Sequence, residues 1–266
     1  MANIIVCVKQ ISDPEAPPSS FSIDNANNLA FQSATSPVIS PFDEVAVEAA
    51  LRIKEQAGAK ITILSLGADL RRDIVKKPLS MGADDLVLLE DPAFTGGDSW
   101  STAYALALAI KKIGQFDMIL CGRQAADWDS GQVGSGIAEI LGLPSVTISR
   151  KIEVDGNKAR VERVIPDGYE LIEVDLPAVI TLSNEHAAPR LPNVRGIMMA
   201  KRKEPIIWKP ADIGADPAKI GTNGRRSKLI KLFQPVRDTK CEIMTGDTQE
   251  ESATKLATKL REVKVI

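Results

Sequence analysis

Histidine is nearly absent from this sequence, and cysteine is sparse. The one histidine is His186, and the three cysteines, Cys7, Cys121 and Cys241, stand far apart. An odd, scattered set of cysteines makes no disulfide framework and suits a reducing compartment. Without paired cysteines or further histidines, a protein-built zinc site is not expected, so the metal prediction is none. A Ser–His–Asp or Cys–His catalytic set cannot be assembled around one late histidine, so no catalytic residue is named and His186 reads as a structural loop residue. Aromatics make up only 4%, which leaves the core to Ile, Val, Leu and Ala. The net charge of −2 supplies no global field for nucleic acid or an anionic membrane. No apolar run approaches the ~20 residues needed to span a bilayer. The opening Met-Ala-Asn-Ile-Ile-Val-Cys-Val-Lys is not the basic segment plus long apolar run of a signal peptide, which predicts a cytoplasmic protein. Neither a Walker sequence nor a GxGxxG fingerprint occurs.

The 266 residues, 44% apolar and 26% charged, have room for one large α/β domain and an extension. Short apolar, β-branched runs at residues 3–8, 61–66, 85–89 and 118–121 read as buried strands. Helical spacing predicts helices after Ser40, over 69–80 and 98–113, and through Ile137, Ile140 and Leu141. Ser40 suits an N-cap, Pro41 the first helical position, and Asp43 completes a Ser-x-x-Asp box. Strands alternating with helices imply a doubly wound, mostly parallel sheet covered on both faces. Residues 10–38 read as a loop or weak hairpin. From 145 to 184 the pattern turns to β-like runs punctuated by Asp155-Gly156 and Pro166-Asp167-Gly168, an antiparallel meander on the same sheet. Residues 205–240 show little periodicity but carry apolar anchors such as Trp208, Ile213 and Phe233, and 247–262 reads as a last helix capped by Asp247 or Thr248. The division expected is a nucleotide-binding α/β domain over 1–204 and a C-terminal arm and helix over 205–266 that wraps a partner subunit.

The strongest chemical signal runs from Cys121 to Gly134, from a strand's carboxyl end through a polar loop into a helix. Parallel sheets take ligands at that edge, and helix starts present unpaired N–H groups and partial positive charge. Gly131 and Gly134 would let a phosphate approach the backbone, and Ser130 and Gln132 could add hydrogen bonds. A capped helix after a polar loop would look the same. The strand ends Cys7-Val8-Lys9 and Leu66-Gly67 fall on the same edge, as does the helix starting at Ser40. Cys7 and Cys121, in buried strands, read as small hydrophobes. Asp127 and Asp129 form the one acidic pair that a nucleotide-hydrolysing or adenylating enzyme could use. The stretch Pro189 to Lys203 mixes basic and apolar residues, as a docking segment or a solvated turn before a short helix would.

These residues resemble the β subunits of electron transfer flavoproteins (the ETF β/FixA family). The matching stretches are a first strand ending in Val8-Lys9, then Ser-Pro-Phe-Asp-Glu-x-Ala-Val-Glu from Ser40, Met81-Gly82-Ala83-Asp84, the Gly122–Gly134 loop and Pro177-Ala178-Val179. Pro189-Arg190 through Gly196-Ile197-Met198 is the most specific segment, and Gly221-x-x-Gly224 followed by Phe233-x-Pro235 resembles the family's C-terminal arm. The resemblance implies a heterodimer with an α subunit that carries a redox-active FAD. This chain then binds AMP or a second FAD. It implies an electron carrier subunit rather than a stand-alone enzyme, with flavin-dependent NADH oxidation added where the second site holds FAD. Carried over by position, the nucleotide contacts are Cys7, Ser40, Pro41, Phe42, Asp43, Leu66, Gly67, Gly122, Gln124, Ala125, Ala126, Asp129, Ser130, Gly131, Gln132 and Val133. Phe42 would also lie near the α-subunit flavin. The docking residues are Pro189, Arg190, Val194, Arg195, Gly196 and Ile197, facing a dehydrogenase of the acyl-CoA dehydrogenase type. Val194 stands where many members place a leucine, and Pro14 where many place a tyrosine. The Val-Arg-Gly-Ile form is similar to members from anaerobic bacteria, including electron-bifurcating ones. From the residues alone, an adenine-nucleotide-binding enzyme and a stress-type nucleotide sensor remain alternatives on the same fold.

Overall fold

The computed structural model describes residues 2–24, 29–32, 35–234 and 241–266. Pro235, part of the expected arm motif, and parts of the 10–38 segment lie outside the described residues.

Strand β1 (Ala2–Val8) leads through the short β2 (Gln10–Ile11), β3 (Phe21–Asp24), β4 (Leu29–Gln32) and β5 (Val38–Ile39) into helix α1 (Pro41–Ala57). There follow β6 (Ala59–Gly67), α2 (Arg72–Val75), α3 (Lys77–Met81), β7 (Asp85–Glu90), α4 (Ser99–Ile113), β8 (Met118–Gly122) and α5 (Val133–Leu141). The second half holds β9 (Ser145–Asp155), β10 (Lys158–Ile165), β11 (Gly168–Asp175), β12 (Ala178–Leu182), α6 (Val194–Arg202), β13 (Ile206–Trp208) and α7 (Gln249–Glu262). Among the described residues, nine strands form one sheet in the order β11-β10-β9-β12-β8-β1-β6-β7-β13, parallel from β9 to β13 and antiparallel from β9 to β11. This is the expected α/β class with its antiparallel meander.

The pleat sorts the core into two layers, because successive strand residues face opposite sides. Ile4, Val6, Ile61, Ile63, Leu86, Leu88, Leu120 and Ile180 pack on Ala46, Ala49, Ala50 and Ile53 of α1. On the other face Ile5, Cys7, Leu64, Val87, Ile119 and Cys121 meet Ala103, Leu106, Ala109 and Ile110 of α4 and Ile137 of α5. Alanine on the sheet-facing sides of α1 and α4 lets the backbones come close without large aromatic side chains.

Four local readings differ from expectation. The helix expected over 69–80 is two short ones, α2 and α3, because Pro78 has no N–H to continue the first. The last β run of 145–184, β12, does not extend the meander but inserts parallel between β9 and β8. The three residues of β13, too few to show a period, extend the sheet edge beside β7. The Ser40–Asp43 box does not form: Ser40 occupies the N-cap without a side-chain bond, and Asp43 is drawn elsewhere. Thr248 is the cap of α7, its Oγ1 accepting from the Glu251 N–H. No helix among the described residues is long and apolar enough to cross a membrane.

Candidate functional site

The strand order reverses at β1. From there the chain moves outward through β6 and β7 on one side, and later returns through β8 and β12 on the other. Loops leaving the carboxyl ends of β1 and β8 therefore diverge to opposite faces and leave a crevice, the position at which open α/β sheets take ligands. A cavity of about 600 Å³ fills it, a size typical of small-molecule sites. Cys7, Val8, Leu66 and Cys121 form its apolar floor, and the 122–134 loop makes one wall. Gly96, Gly97, Asp98, Ser99, Thr102 and Leu106, around the start of α4, make the opposite wall, and Arg225, Ser227 and Leu229 complete the enclosure.

Asp43 holds the crevice together. Its Oδ1 accepts from the Gly122 N–H at 3.0 Å and its Oδ2 from the Lys9 N–H at 2.8 Å, so one side chain ties the ends of β1 and β8 to the start of α1. Burial pushes this carboxyl up to about 7, while the two N–H groups and the Lys9 ammonium pull it the other way. Gly122 has to be glycine: a Cβ there would lie 2.5 Å from Asp43 Oδ1 and 2.7 Å from the Phe42 backbone carbon.

The polar loop is cross-braced. Lys9 Nζ pairs with Asp127 at 2.7 Å, and Gln124 Nε2 donates to Asp129 Oδ1 at 2.7 Å. The two acids that might have formed a metal pair are thus engaged apart, and among the described residues no His, Cys, Asp and Glu group is arranged to hold a metal ion. Gly131, at φ +63, turns the chain toward α5, and a Cβ on it would touch only the Arg123 carbonyl oxygen at 3.4 Å. Ser99 Oγ donates to Ser130 Oγ at 3.1 Å, bridging the approaches to α4 and α5 across the cavity. The start of α5 has no side-chain cap, whereas Asp98 already occupies the start of α4, so the free backbone N–H groups, hydroxyls and glycines on the α5 side could hold an anionic group above the apolar floor.

Of the expected contacts, Cys7, Asp43, Leu66, Gly122, Gln124, Ala125, Ser130, Gly131, Gln132 and Val133 line the cavity. Ser40, Pro41, Phe42, Gly67, Ala126 and Asp129 are not among its lining residues. Ser40 is fully buried, and the Phe42 ring lies 4.9 Å from the Arg123 guanidinium. Gly134 serves packing, since a Cβ on it would lie 2.5 Å from Thr181 Cγ2. Cys7 and Cys121 are register partners on β1 and β8. The hydrogen bond between them and burial push the Cys121 thiol up, which keeps it protonated. His186 is apart from the cavity, its Nδ1–H donating to the Arg150 carbonyl at 2.9 Å, and burial lowers its pKa. Sequence reasoning missed the Gly96–Thr102 wall and the arm residues. Gly96-Gly97-Asp98-Ser99 carries the same cue as the 122–134 loop, a buried strand followed by glycines and a capped helix.

The docking candidates gather around α6. Asn193 caps it by accepting from the Gly196 N–H at 2.7 Å, and Ala200 is buried. A Cβ on Gly196 would lie 2.2 Å from the Ser80 carbonyl oxygen, so only glycine allows α6 to rest on α3. Arg190 anchors the preceding loop to α1: its Nε–H donates to Glu48 Oε2 at 2.8 Å, and its guanidinium also bonds Glu55. Outward stand Leu191 (89% exposed), Val194 (77%), Met198 and Met199, with Ile197 beside them. Pro189 lies in the same loop, and Arg195 is exposed on the first turn of α6.

Residues 29–213 match the Electron transfer flavoprotein domain. Electron transfer flavoprotein subunit beta of Thermoanaerobacterium thermosaccharolyticum is 39% identical over 249 residues, 93% of this chain and 94% of the relative. The subunit of the same name from Megasphaera elsdenii is 41% identical over 239 residues, 87% of each chain. Caffeyl-CoA reductase-Etf complex subunit CarD of Acetobacterium woodii is 38% identical over 264 residues, 99% of each. With domain, length and fold in agreement, the chain belongs to the electron transfer flavoprotein family, on its β-subunit branch.

Proposed function

We propose that this chain is the β subunit of a cytoplasmic heterodimeric electron carrier whose α subunit holds the redox-active FAD. Its own cavity takes an adenosine phosphate, as AMP or as the adenylate half of a second FAD. The observation that carries this reading is the cavity at the β1/β8 switch point, with glycines and hydroxyls at two helix starts above an apolar floor. Asp43 and the Lys9–Asp127 pair set its shape, and Ser99, Ser130 and the Gly131 backbone offer hydrogen bonds to phosphate. A flavin bound there would accept hydride from a nicotinamide and release electrons singly.

The exposed face of α6 docks on a flavin dehydrogenase of the acyl-CoA dehydrogenase type. The Acetobacterium woodii relative, named as a subunit of a caffeyl-CoA reductase complex, supports a CoA-thioester partner. Exposed apolar groups that share α6 with the exposed Arg195, Lys201 and Arg202 suit a contact that must form and part quickly. Of the arm over 205–266, the part up to Leu229 packs on this chain, and the part beyond it wraps the α subunit. In support, α7 has no buried residue, and Leu256, Val263, Val265 and Ile266 are exposed along and beyond it.

Co-expression with the α subunit, followed by denaturation and quantification of FAD and AMP per heterodimer, tests the reading. One FAD with one AMP identifies a simple carrier. Two FAD without AMP identify a redox-active β site and make NADH-linked electron bifurcation the working function. A colourless protein that binds ATP alone overturns the assignment.

A further inference from the structure

The cavity's last wall comes from the C-terminal arm. After β13 the chain makes 3-10 turns at Pro210–Ile213, Pro217–Lys219 and Gly221–Gly224 and presses against the loop between β7 and α4. Gly221, at φ +53, has no room for a side chain: a Cβ would lie 2.1 Å from the Ala93 carbonyl oxygen. Thr222 Oγ1 donates to the Thr95 carbonyl at 3.2 Å, Arg225 Nε–H donates to the Gly96 carbonyl, and the Arg226 guanidinium stacks 3.5 Å over Trp100.

The focus of this contact is Asp98. Its Oδ1 accepts from the Ser101 N–H at 3.1 Å, capping α4. Its Oδ2 accepts three times from the arm: from the Arg226 N–H at 2.8 Å, the Ser227 N–H at 2.9 Å and the Ser227 hydroxyl at 3.0 Å. Burial alone would raise this carboxyl. The bonds from Ser101, Arg226 and Ser227 outweigh it and hold Asp98 down at about 2, so it is ionised at neutral pH. The same few residues, Asp98, Arg225 and Ser227, line the cavity.

We infer that Asp98 is a positioning residue that latches the arm over the nucleotide cavity, so that adenosine-phosphate binding and arm docking stabilise each other. The coupling rests on the reading of the cavity as an adenosine-phosphate site. A ligand enclosed partly by Arg225, Ser227 and Leu229 binds more tightly when the arm is latched, and by linkage its binding holds the arm down by the same factor. The arm continues into the segment assigned to the α subunit, so occupancy of the cavity would bias how that segment is presented.

Asp98→Asn separates the two duties. An asparagine keeps an oxygen for the α4 cap but turns an amide donor toward three arm donors. In the full chain, trypsin cleavage at Arg225, Arg226 and Lys228 reports arm release, read by mass spectrometry with and without AMP or FAD. Nucleotide should slow wild-type cleavage, whereas Asp98→Asn should be cut faster, respond little to nucleotide, and bind AMP or FAD roughly ten- to a hundredfold more weakly. Ser227→Ala, which removes one arm donor and leaves α4 alone, should shift both readouts less in the same direction. Unchanged affinity in Asp98→Asn, or wild-type cleavage indifferent to saturating nucleotide, overturns the coupling while leaving the cavity reading intact. A wild-type chain that binds neither AMP nor FAD overturns both.

Discussion

Two carboxylates on α1, little more than one turn apart, are both withdrawn from solvent and meet opposite surroundings. Asp43, at the cavity, is answered by two backbone N–H groups, and burial prevails, pushing its carboxyl up to about 7. Glu48, facing the docking segment, is also pushed up by burial, but hydrogen bonds from Arg190 and Arg52 outweigh that and leave it below the usual range. The cavity end of the helix is assembled from neutral backbone dipoles around a carboxyl that changes charge near neutrality. The docking end is fastened by guanidinium groups that stay charged at every relevant pH. One rigid helix, about 18 Å from Asp43 to Glu55 at 1.5 Å per residue, joins an adjustable site to a fixed one.

Gly122→Ala should break the cavity end most severely. Its Cβ would collide with the Phe42 backbone and with Asp43 Oδ1, which forces α1 away from β8. A loss of about 3 kcal/mol in urea unfolding is expected, as for an overpacked core, together with loss of bound nucleotide. Wild-type stability with full nucleotide content would show that α1 and β8 need not meet this closely.

Asp43→Asn sharpens the comparison through pH. The folded carboxyl releases its proton near 7, whereas an unfolded aspartate does so near about 3.9. Between these values the folded state binds more protons, so Asp43 makes stability decline as pH rises from about 4 to about 7, with no further change outside that window. The amide cannot ionise, so the variant should lose this decline. It should also be about 2 kcal/mol less stable at pH 5, because its NH₂ opposes one of the two backbone donors. Parallel urea midpoints for both proteins across pH 4 to 8 would refute the assignment.

Glu48→Gln tests the docking end with a smaller effect. The amide keeps one acceptor and loses the charge that Arg190 and Arg52 share. Both arginines are partly exposed, so screening limits the loss to about 1 kcal/mol. Because Arg190 fastens the loop before α6, partner-dependent electron transfer should slow while nucleotide content stays at the wild-type level. A variant that loses nucleotide instead would mean that α1 does not separate the two functions.

The legible parts of this fold were those written in local pattern. Strands β1, β6, β7 and β8 announce themselves as short buried runs ended by polar or glycine residues, and α1, α4 and α5 by apolar spacing. Placing Cys7, Leu66 and Gly122 on one edge needed only the rule that parallel strands share their carboxyl ends. What escaped was decided by distance in sequence. The Ser40–Asp43 box reads as a local cap, yet Asp43 is spent on the Lys9 and Gly122 N–H groups, 34 and 79 residues away in sequence. Arg225 and Ser227 join the cavity only because β7 neighbours β6 and the arm returns to Asp98, which no periodicity in 205–240 encodes. Gly96 to Ser99 could have been found by the reasoning that singled out residues 122–134.

Val194→Asp carries the least structural cost and isolates the docking face. The side chain is exposed at the first residue of α6, where an aspartate suits the helix N-terminus, so the melting temperature should hold within a degree or two. A charge set among Leu191, Ile197 and Met198 would have to be desolvated on docking, which should weaken partner-dependent electron transfer about tenfold or more. Flavin and nucleotide content should not change, since the residue is not part of the cavity wall. Electron transfer at the wild-type rate would move docking off α6, and loss of flavin would count against a docking role altogether.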